Sequence, residues 1–398
     1  MINILSEAGE SGSRAVRMGV AFVVCIWPGI EARADASLDV SEPGMLIEIG
    51  RALFFDTKLS RNRAQSCTSC HDPARAFTDG RDSGVDGAVS LGDDGRSLGD
   101  RNAPTTAYTF LGPDFHRDEN GRHVGGFFLD GRAETLARQA HEPFFNPIEM
   151  GLSDEAELAA RVRNNPDYAQ MFKERFGDAA FNDDRQLVEA VIQSISAFER
   201  TPFFAPFDSK YDRYLRGTYE MTALESTGRS LFFSPLTNCT TCHLSNTSSI
   251  NPQETFTSYR YHNIGIPVNA AVRQKNGLGT DHRDPGLLAN PAVESPDLAG
   301  KFKVPTLRNV AVTGPYMHNG IFKNLRTAIL FYNKYTVSNE NSQTNPETGR
   351  RWRRPEFGTS VDRDLLQEGQ PIDDDRLEAL IAFLKTLTDK RYETLLEN

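Results

Sequence analysis

The chain has 398 residues, a formal net charge of −10 and 38 % hydrophobic residues. This length suggests two domains, and the hydrophobic content suffices for packed cores but is too low for a bundle of membrane helices. The acidic balance argues against nucleic acid or an anionic membrane surface as a partner, and it favours a cationic protein.

Residues 1–34 have the pattern of a secretory signal peptide. Two arginines, an apolar run and a small-residue cleavage pattern follow one another: Arg14 and Arg17, Met18 to Ile26, and Ala32-Arg33-Ala34. Pro28 ends the run, which is too short to span a bilayer. A buried N-terminal helix is the alternative. Cleavage after Ala34 removes Cys25, and we expect a mature protein without a membrane span in the periplasm.

Two C-x-x-C-H motifs follow, Cys67-Thr68-Ser69-Cys70-His71 and Cys239-Thr240-Thr241-Cys242-His243. In such a motif the two thiols bond to the vinyl groups of a haem and the histidine ligates its iron. A zinc site would need more cysteines, and a thioredoxin-like pair would need a βαβ context, which the sequence lacks. The sequence therefore predicts two covalently bound c-type haems.

The segments around the two motifs repeat each other in the same order. The matched pairs are Gly50-Arg51-Ala52-Leu53-Phe54-Phe55 with Gly228-Arg229-Ser230-Leu231-Phe232-Phe233, Pro104-Thr105 with Pro305-Thr306, and Asp130-Gly131 and Leu136 with Asn319-Gly320 and Leu325. Such a series indicates a duplicated haem-binding unit. We predict a mainly α protein with two cytochrome c-like domains, residues 35–203 and 204–398, and with long loops.

Two helices are predicted from apolar residues at helical spacing. These residues are Val188, Val191, Ile192, Ile195 and Phe198 in the first helix, and Leu377, Leu380, Ile381 and Leu384 in the second. Thr201-Pro202 ends the first helix, and residues 202–206 mark the domain boundary. The polar stretches 78–101 and 336–360 are predicted to be loops.

The repeat also predicts what lies on the second face of each iron. Tyr332 stands twelve residues after Gly320, and Pro143 stands twelve residues after Gly131. A tyrosine phenolate can ligate iron, whereas proline has no side-chain donor. The first haem is then open to a small ligand, and the second is closed by His243 and Tyr332. Rival ligands are Met317 and His318, and an ordinary core tyrosine is the alternative role.

The chain resembles the bacterial di-haem cytochrome c peroxidase/MauG family over nearly its whole mature length. Besides the haem motifs, the similar segments are Arg101-Asn102-Ala103-Pro104-Thr105, Asp130-Gly131-Arg132-Ala133, residues 139–143, Asn146-Pro147-Ile148-Glu149-Met150-Gly151, residues 304–309 and residues 313–316. The resemblance implies that the first haem is the peroxide site and the second haem the electron-transfer site.

The resemblance also implies roles for individual residues. The family's distal acid/base glutamate falls on Glu149, and its companion glutamine falls on Gln139. Its calcium ion between the domains would be held by the Asn102 side chain and the backbone carbonyls of Thr313 and Pro315, and oxygen ligands suit calcium. On the residues alone, Glu149 reads as a surface or helix-capping acid and Asn102 as a turn residue.

The ligand of the second haem divides this family, since ordinary peroxidases use Met there and the MauG and MbnH types use Tyr, as at Tyr332. An anionic phenolate stabilises a higher oxidation state of iron. We therefore expect a periplasmic oxidoreductase that uses hydrogen peroxide to form high-valent haem and to oxidise Trp or Tyr side chains of a partner protein. The alternatives are a cytochrome c peroxidase fed by a small electron-donor cytochrome, and a non-catalytic electron-transfer cytochrome.

Two departures from the wider family affect this expectation. Many of these peroxidases block the first haem with a histidine from the loop after the first motif, but residues 72–115 contain none, so we expect that haem to be open. The Trp that usually lies between the haems is replaced by Leu129, which cannot carry a hole. Charge sharing would then be direct or use Phe128 or Tyr108. Trp352, in a predicted loop, is the remaining Trp of the mature chain.

Overall fold

The structure is a computed structural model in which residues 43–244 and 250–397 are described. These residues are mainly helical, which confirms the predicted fold class. The predicted signal peptide, with Cys25 and Trp27, lies outside the described residues. Within the described ranges, no helix is both long enough and apolar enough to cross a membrane.

The described part of the chain contains thirteen α-helices and three antiparallel pairs of two-residue strands. The helices are α1 Pro43–Phe55, α2 Cys67–Cys70, α3 Leu136–Phe145, α4 Glu155–Arg163, α5 Pro166–Asn182, α6 Asp184–Glu199, α7 Lys210–Leu215, α8 Ala223–Phe232, α9 Ala270–Lys275, α10 Leu325–Leu330, α11 Asn333–Thr336, α12 Arg363–Gln367 and α13 Asp374–Thr386. The strand pairs are β1 His116–Arg117 with β2 His123–Val124, β3 Tyr261–His262 with β4 Phe302–Lys303, and β5 Thr344–Asn345 with β6 Arg350–Arg351.

The first core forms where α1 packs across α6. Gly50 lies at the crossing, and a Cβ there would come within 1.8 Å of the carbonyl oxygen of Ser194. The rings of Phe54, Phe198 and Phe204 pack edge to face beside the crossing. The apolar stripe predicted from Val188 to Phe198 is the buried face of α6, so this helix prediction is confirmed.

The second core repeats this arrangement with α8 and α13. Gly228 lies at the crossing, and a Cβ there would come within 1.8 Å of the carbonyl oxygen of Ala379. Phe232, Phe256 and Phe383 pack beside it. The repeated Gly-Arg-x-Leu-Phe-Phe segment is therefore a helix-crossing segment in both halves, and the helix predicted from Leu377 to Leu384 is confirmed as α13.

Long irregular segments connect these cores. Residues 78–101 contain no helix and no strand longer than an isolated bridge, so that loop prediction is confirmed. Residues 336–360 differ from the prediction of a plain loop, because β5 and β6 form a short hairpin there. The turn after Asn345 brings the two strands together, with Gly349 N donating to the Asn345 carbonyl at 2.8 Å.

Two arginines, one fully buried and one partly exposed, fix segments that are far apart in sequence. Arg308 is fully buried and forms an ion pair with Asp212 at 2.7 Å. Arg101 binds Asp130 and Asp284, each at 2.6 Å. Removing one partner of the Arg308–Asp212 pair would leave an uncompensated buried charge, which typically costs about 3–5 kcal/mol. These pairs fix the irregular segments that surround the site.

Candidate functional site

A single cavity of about 810 Å³ reaches both C-x-x-C-H motifs. Most of the predicted site residues line it: Cys70, His71, Asn102, Gln139, Pro143, Glu149, Cys239, Cys242, His243, Thr313, Pro315 and Tyr332. Cys67 lines a smaller cavity of about 60 Å³, which shares Cys70, His71 and Glu149 with the large one. All four motif cysteines are free of disulfides. The fold thus collects residues from Cys70 to Tyr332, 262 positions apart in the sequence, around the large cavity.

The first motif forms α2, a helix of one turn that ends at His71. Ser66 begins this helix in a capping box with Ser69, which satisfies its first backbone N–H groups. Nδ1 of His71 lies 3.3 Å from the carbonyl oxygen of Phe77. Because a carbonyl only accepts, Nδ1 carries the proton and Nε2 keeps its lone pair.

The second motif repeats this orientation in a different local structure. Cys239–Thr241 is a 3-10 turn, and Nδ1 of His243 lies 3.2 Å from the carbonyl oxygen of Phe256. Phe77 and Phe256 both have a positive φ, 58° and 55°, which turns each carbonyl toward its histidine. Burial lowers the pKa of both rings, that of His243 to about 4. Both histidines are therefore neutral near pH 7.

This donor set fits two covalently bound haems. Each motif presents two unpaired thiols, and each histidine is neutral, with its tautomer fixed by a backbone carbonyl. A second hydrogen bond of this kind is what normally orients a metal-ligating histidine. The large cavity lies against both motifs, so each macrocycle has space beside its own cysteines and histidine.

The distal side of the first motif is formed by α3 and the turn that follows it. Gln139 and Pro143 are four residues apart in α3, so both point from one face of the helix into the cavity. Pro143 has no N–H to donate to the Gln139 carbonyl. Its own carbonyl accepts from Met150 N at 3.1 Å, which folds the turn carrying Glu149 back over the helix end. Glutamine, proline and glutamate thus reach the same side of the site.

Glu149 is the ionisable group of this distal side. Its Oε1 accepts a hydrogen bond from Asn146 Nδ2 at 2.7 Å. Burial raises the pKa of Glu149, although Arg132 and the bond from Asn146 oppose the rise. A carboxyl whose pKa is raised toward neutrality can both accept and return a proton, as general acid–base chemistry requires.

Tyr332 occupies the cavity wall at the second motif. It lies between α10 and α11, and its backbone N–H donates to the Ile329 carbonyl at 3.2 Å. Burial raises its pKa, and Cys242 and Cys239 act on it in the same direction, which places the phenol beside the second pair of thiols. Oxygen donation to an iron held by His243 is therefore chemically possible from this position.

The rival ligands Met317 and His318 also line the cavity. His318 stacks flat on Phe302, with ring centroids 3.7 Å apart and an interplanar angle of 9°. Burial lowers its pKa to about 3, and the charged groups acting on it are Asp284, Arg101 and Arg273. Met317 packs against the cluster around Phe322 and Phe331. Of the three rivals, Tyr332 is the one whose ionisable neighbours are the second-motif cysteines.

The predicted calcium ligands lie at the same cavity. The backbone N–H of Asn102 donates to the His318 carbonyl at 2.7 Å, and its Nδ2 donates to the Ala88 carbonyl at 3.1 Å. This leaves its Oδ1 available as a ligand. Among the described backbone hydrogen bonds, none ends on the carbonyl of Thr313 or Pro315. The described residues contain no cluster of three acidic, His or Cys side chains suited to a metal.

Three residues of the site were missed by the sequence analysis. His262 contacts Asp362 at 3.0 Å; burial opposes its charge, but Asp362 and Cys242 raise its pKa to about 9. Glu199, at the end of α6, is buried against the first site, and burial raises its pKa to about 8. Lys303 donates to the Gly126 carbonyl, and burial lowers its pKa to about 8. No periodicity or motif marks these positions.

Leu129 lines the cavity, as do the two aromatic residues predicted as substitutes for the missing Trp. The Arg132 guanidinium lies 3.7 Å from the ring centroid of Phe128. Tyr108 is buried and donates its hydroxyl hydrogen to Asp389. The cation on Phe128 disfavours a positive hole there, whereas Tyr108 has a carboxylate partner.

Comparison with known proteins places these features in a family. Residues 45–220 match the sequence profile of the di-haem cytochrome c peroxidase family. The chain is 52 % identical to the methylamine utilization protein MauG of Paracoccus denitrificans over 88 % of this chain and 90 % of that protein.

Two crystal structures are also similar. The diheme peroxidase BthA of Burkholderia thailandensis superposes with a TM-score of 0.76 at 32 % identity, covering 88 % of this chain and 87 % of that one. A MauG-like protein associated with microbial copper homeostasis superposes with a TM-score of 0.63 at 30 % identity, covering 87 % of this chain and 90 % of that one.

Proposed function

The chain belongs to the di-haem cytochrome c peroxidase family and is a peroxidase-type oxidoreductase with two haem c groups, and from that premise we propose that it uses hydrogen peroxide to oxidise Trp or Tyr side chains of a partner protein. The observation that carries this proposal is the inequality of the two sites. Pro143 faces the first site without any donor, whereas Tyr332 faces the second with a phenol. One site is thereby suited to admit peroxide and the other to retain oxidising power.

Cys67, Cys70 and His71 would hold one haem, whose iron would supply the peroxide chemistry, and Cys239, Cys242 and His243 would hold a second haem, which would supply a further store of oxidising power. His71 and His243 hold their rings through Nδ1, so Nε2 would be the atom that ligates iron in each half. Tyr332 closes the second site.

The side chains of the first site handle the proton. Glu149 would take the proton from one peroxide oxygen through Oε2 and return it to the other oxygen, which departs as water. Asn146 binds Oε1 of Glu149, so this oxygen is fixed and Oε2 is the one that exchanges the proton. Gln139 orients the bound peroxide through its side-chain amide, and Pro143 leaves the space over the ligand position free.

The proposal also includes a calcium ion, a division into two domains and a cleaved leader. Asn102, Thr313 and Pro315 hold a calcium ion through the three oxygens described above. The two helix crossings support a division into domains at residues 35–203 and 204–398, after a cleaved leader of residues 1–34. That leader would direct the protein to the periplasm.

The proposal is tested by adding hydrogen peroxide to the holoprotein with both haems ferric and following both absorption spectra by stopped flow. We expect both spectra to change without any added reductant, because Tyr332 stabilises the oxidised second site. A protein that reacts only after one electron has been supplied is an ordinary cytochrome c peroxidase fed by a small cytochrome. A protein that never reacts is an electron-transfer cytochrome.

A further inference from the structure

A basic hairpin stands out in this acidic protein. Four of the five residues from 350 to 354 are arginines, namely Arg350, Arg351, Arg353 and Arg354, in a chain whose net charge is −10. All four side chains are exposed. Within the described ranges, none of the four forms an ion pair, although arginines elsewhere on the surface do. Exposed guanidinium groups without a partner attract carboxylates and fit them in a bidentate manner.

Trp352 lies in the middle of this basic segment and is partly exposed. Its backbone N–H donates to the Gln343 carbonyl at 3.0 Å, and its indole Nε1 donates to the Ser342 carbonyl at 2.8 Å. The Nε1 bond fixes the ring, and the backbone bond fixes the backbone that carries it, while part of the side chain lies at the surface. The indole is therefore an ordered group and not a freely rotating surface side chain.

The inner face of Trp352 continues into the aromatic packing behind the second haem site. Its ring centroid lies 5.1 Å from that of Phe331 and 5.5 Å from that of Phe322. Phe331 is fully buried, and its ring centroid lies 6.3 Å from that of Tyr332. A continuous column of rings thus connects the basic surface with the residue that faces the second site.

We propose that the hairpin of residues 344–354 docks an acidic face of the protein substrate, and that Trp352 relays electrons from the substrate's aromatic side chain to the second haem site. This rests on the proposed function, which supplies peroxide as the oxidant. The net charge of the chain favours a cationic partner protein. The surface that docks at the hairpin is instead acidic, because the local charge of the hairpin is positive.

The electron balance is simple. Trp352 gives one electron inward and regains one from the partner's aromatic ring, and two such electrons with two protons reduce one hydrogen peroxide to two waters. The indole N–H of Trp352 donates to a backbone carbonyl, which is too weak a base to take the proton. The oxidised indole therefore keeps its proton, so its return to the reduced state needs only an electron. Phe331 and Phe322 are packing between the redox groups and are not themselves oxidised.

The charge part is tested with hexacyanoferrate(II), an anionic one-electron donor, added to the peroxide-oxidised holoprotein at low ionic strength. The double charge reversal Arg350→Glu/Arg353→Glu should slow donor oxidation on the order of tenfold and should accelerate oxidation of the cationic donor hexaammineruthenium(II). The matched control Arg51→Glu/Arg185→Glu changes net charge equally on exposed residues of α1 and α6. Equal effects of both double variants, or no effect of either, would overturn the docking surface.

The relay part is tested by freezing the peroxide-treated holoprotein without donor and recording its electron paramagnetic resonance spectrum. Protein grown on ring-deuterated tryptophan should show a narrowed indole radical signal. Trp352→Phe, which keeps a ring against Phe331, should lose that signal and slow hexacyanoferrate(II) oxidation, whereas Trp352→Tyr should restore part of the rate. No indole signal in the parent protein, or an equal signal in Trp352→Phe, refutes the relay.

Haem absorbance recorded in the same samples separates the two levels of the proposal. If the haem spectra respond to peroxide while the indole signal is missing, the relay is wrong and the proposed function stands. If the haem spectra do not respond to peroxide, the proposed function itself is wrong.

Discussion

The side-chain amide of Asn146 donates a hydrogen bond to Glu149, with 2.7 Å between Nδ2 and Oε1. This bond favours the charged carboxylate and so opposes the rise that burial gives to the pKa of Glu149. Asn146→Ala should therefore raise that pKa further, because the charged carboxylate loses a hydrogen bond. Because less carboxylate is then present near pH 7, the peroxide reaction should slow there, and its pH profile should move to higher pH. Stopped-flow absorbance across the pH range measures both effects.

A remote amide–carboxylate pair provides the control for this substitution. Gln193 donates to Glu189 at 2.8 Å on α6, so Gln193→Ala removes a similar bond without touching the distal side. Its pH profile should match that of the parent protein. Glu149→Gln should slow the reaction at every pH. A profile of Asn146→Ala that superposes on the parent profile would show that this bond does not tune the reactive carboxyl.

Replacing Tyr332 should change the spectrum of one haem. In Tyr332→Met or Tyr332→His the ligand atom changes from oxygen to sulfur or nitrogen, and the low-spin haem should shift while the other haem keeps its spectrum. Tyr335→Phe is the matched control, because Tyr335 is also largely buried but donates its hydroxyl to the Ile264 carbonyl at 2.8 Å. Unchanged spectra in both Tyr332 variants would rule out tyrosine ligation.

Removing the amide of Asn102 should remove the calcium ion. The holoprotein should retain one calcium per chain after dialysis, as measured by elemental mass spectrometry, whereas Asn102→Ala should retain none, because one of the three oxygen ligands is lost. Asn276→Ala is a suitable control, since its amide also binds a carbonyl, that of Gly99, at 3.2 Å. Calcium retained in Asn102→Ala, or missing from the parent protein, would contradict the assignment.

Adding a methyl group at Gly228 should destabilise the second core. Its Cβ would come within 1.8 Å of the Ala379 carbonyl oxygen, a backbone atom that can move only if α8 and α13 separate. Gly228→Ala should therefore lower the free energy of unfolding in urea by about 1–3 kcal/mol or more. Gly44→Ala in α1 meets nothing within 4 Å, so its effect should stay within about 1 kcal/mol. Equal stability of the two variants would contradict the tight crossing.

The sequence predicted the parts of this protein that are encoded locally. The spacing of apolar residues in α6 and α13 follows the helical period, and that period survives folding because one face of each helix is buried. The haem motifs need only five consecutive residues. The repeat predicted equivalent places for Pro143 and Tyr332 in the two halves, and both residues line the large cavity.

The remaining parts depend on contacts between distant positions. Arg308 is fully buried because Asp212, 96 residues away, neutralises it, and a lone arginine in a sequence reads as a surface residue. His262 acquires its raised pKa from Asp362, 100 residues away, and from Cys242. The sequence predicted a loop at Trp352. Its packing on Phe331 could not be predicted, because this contact arises from the β5–β6 hairpin. Contacts between residues that are distant in the chain produce no periodic pattern and no motif in a single sequence.

The segment that orients His71 is tied to a residue synthesised far later. Tyr392 is buried and donates its hydroxyl to the Pro73 carbonyl at 2.8 Å, across 319 positions, and the Arg391 guanidinium lies 5.3 Å from the ring of Phe77. The first motif is therefore synthesised long before the residues that fasten its loop. The loop that orients His71 is complete only once the C-terminal segment has packed against it.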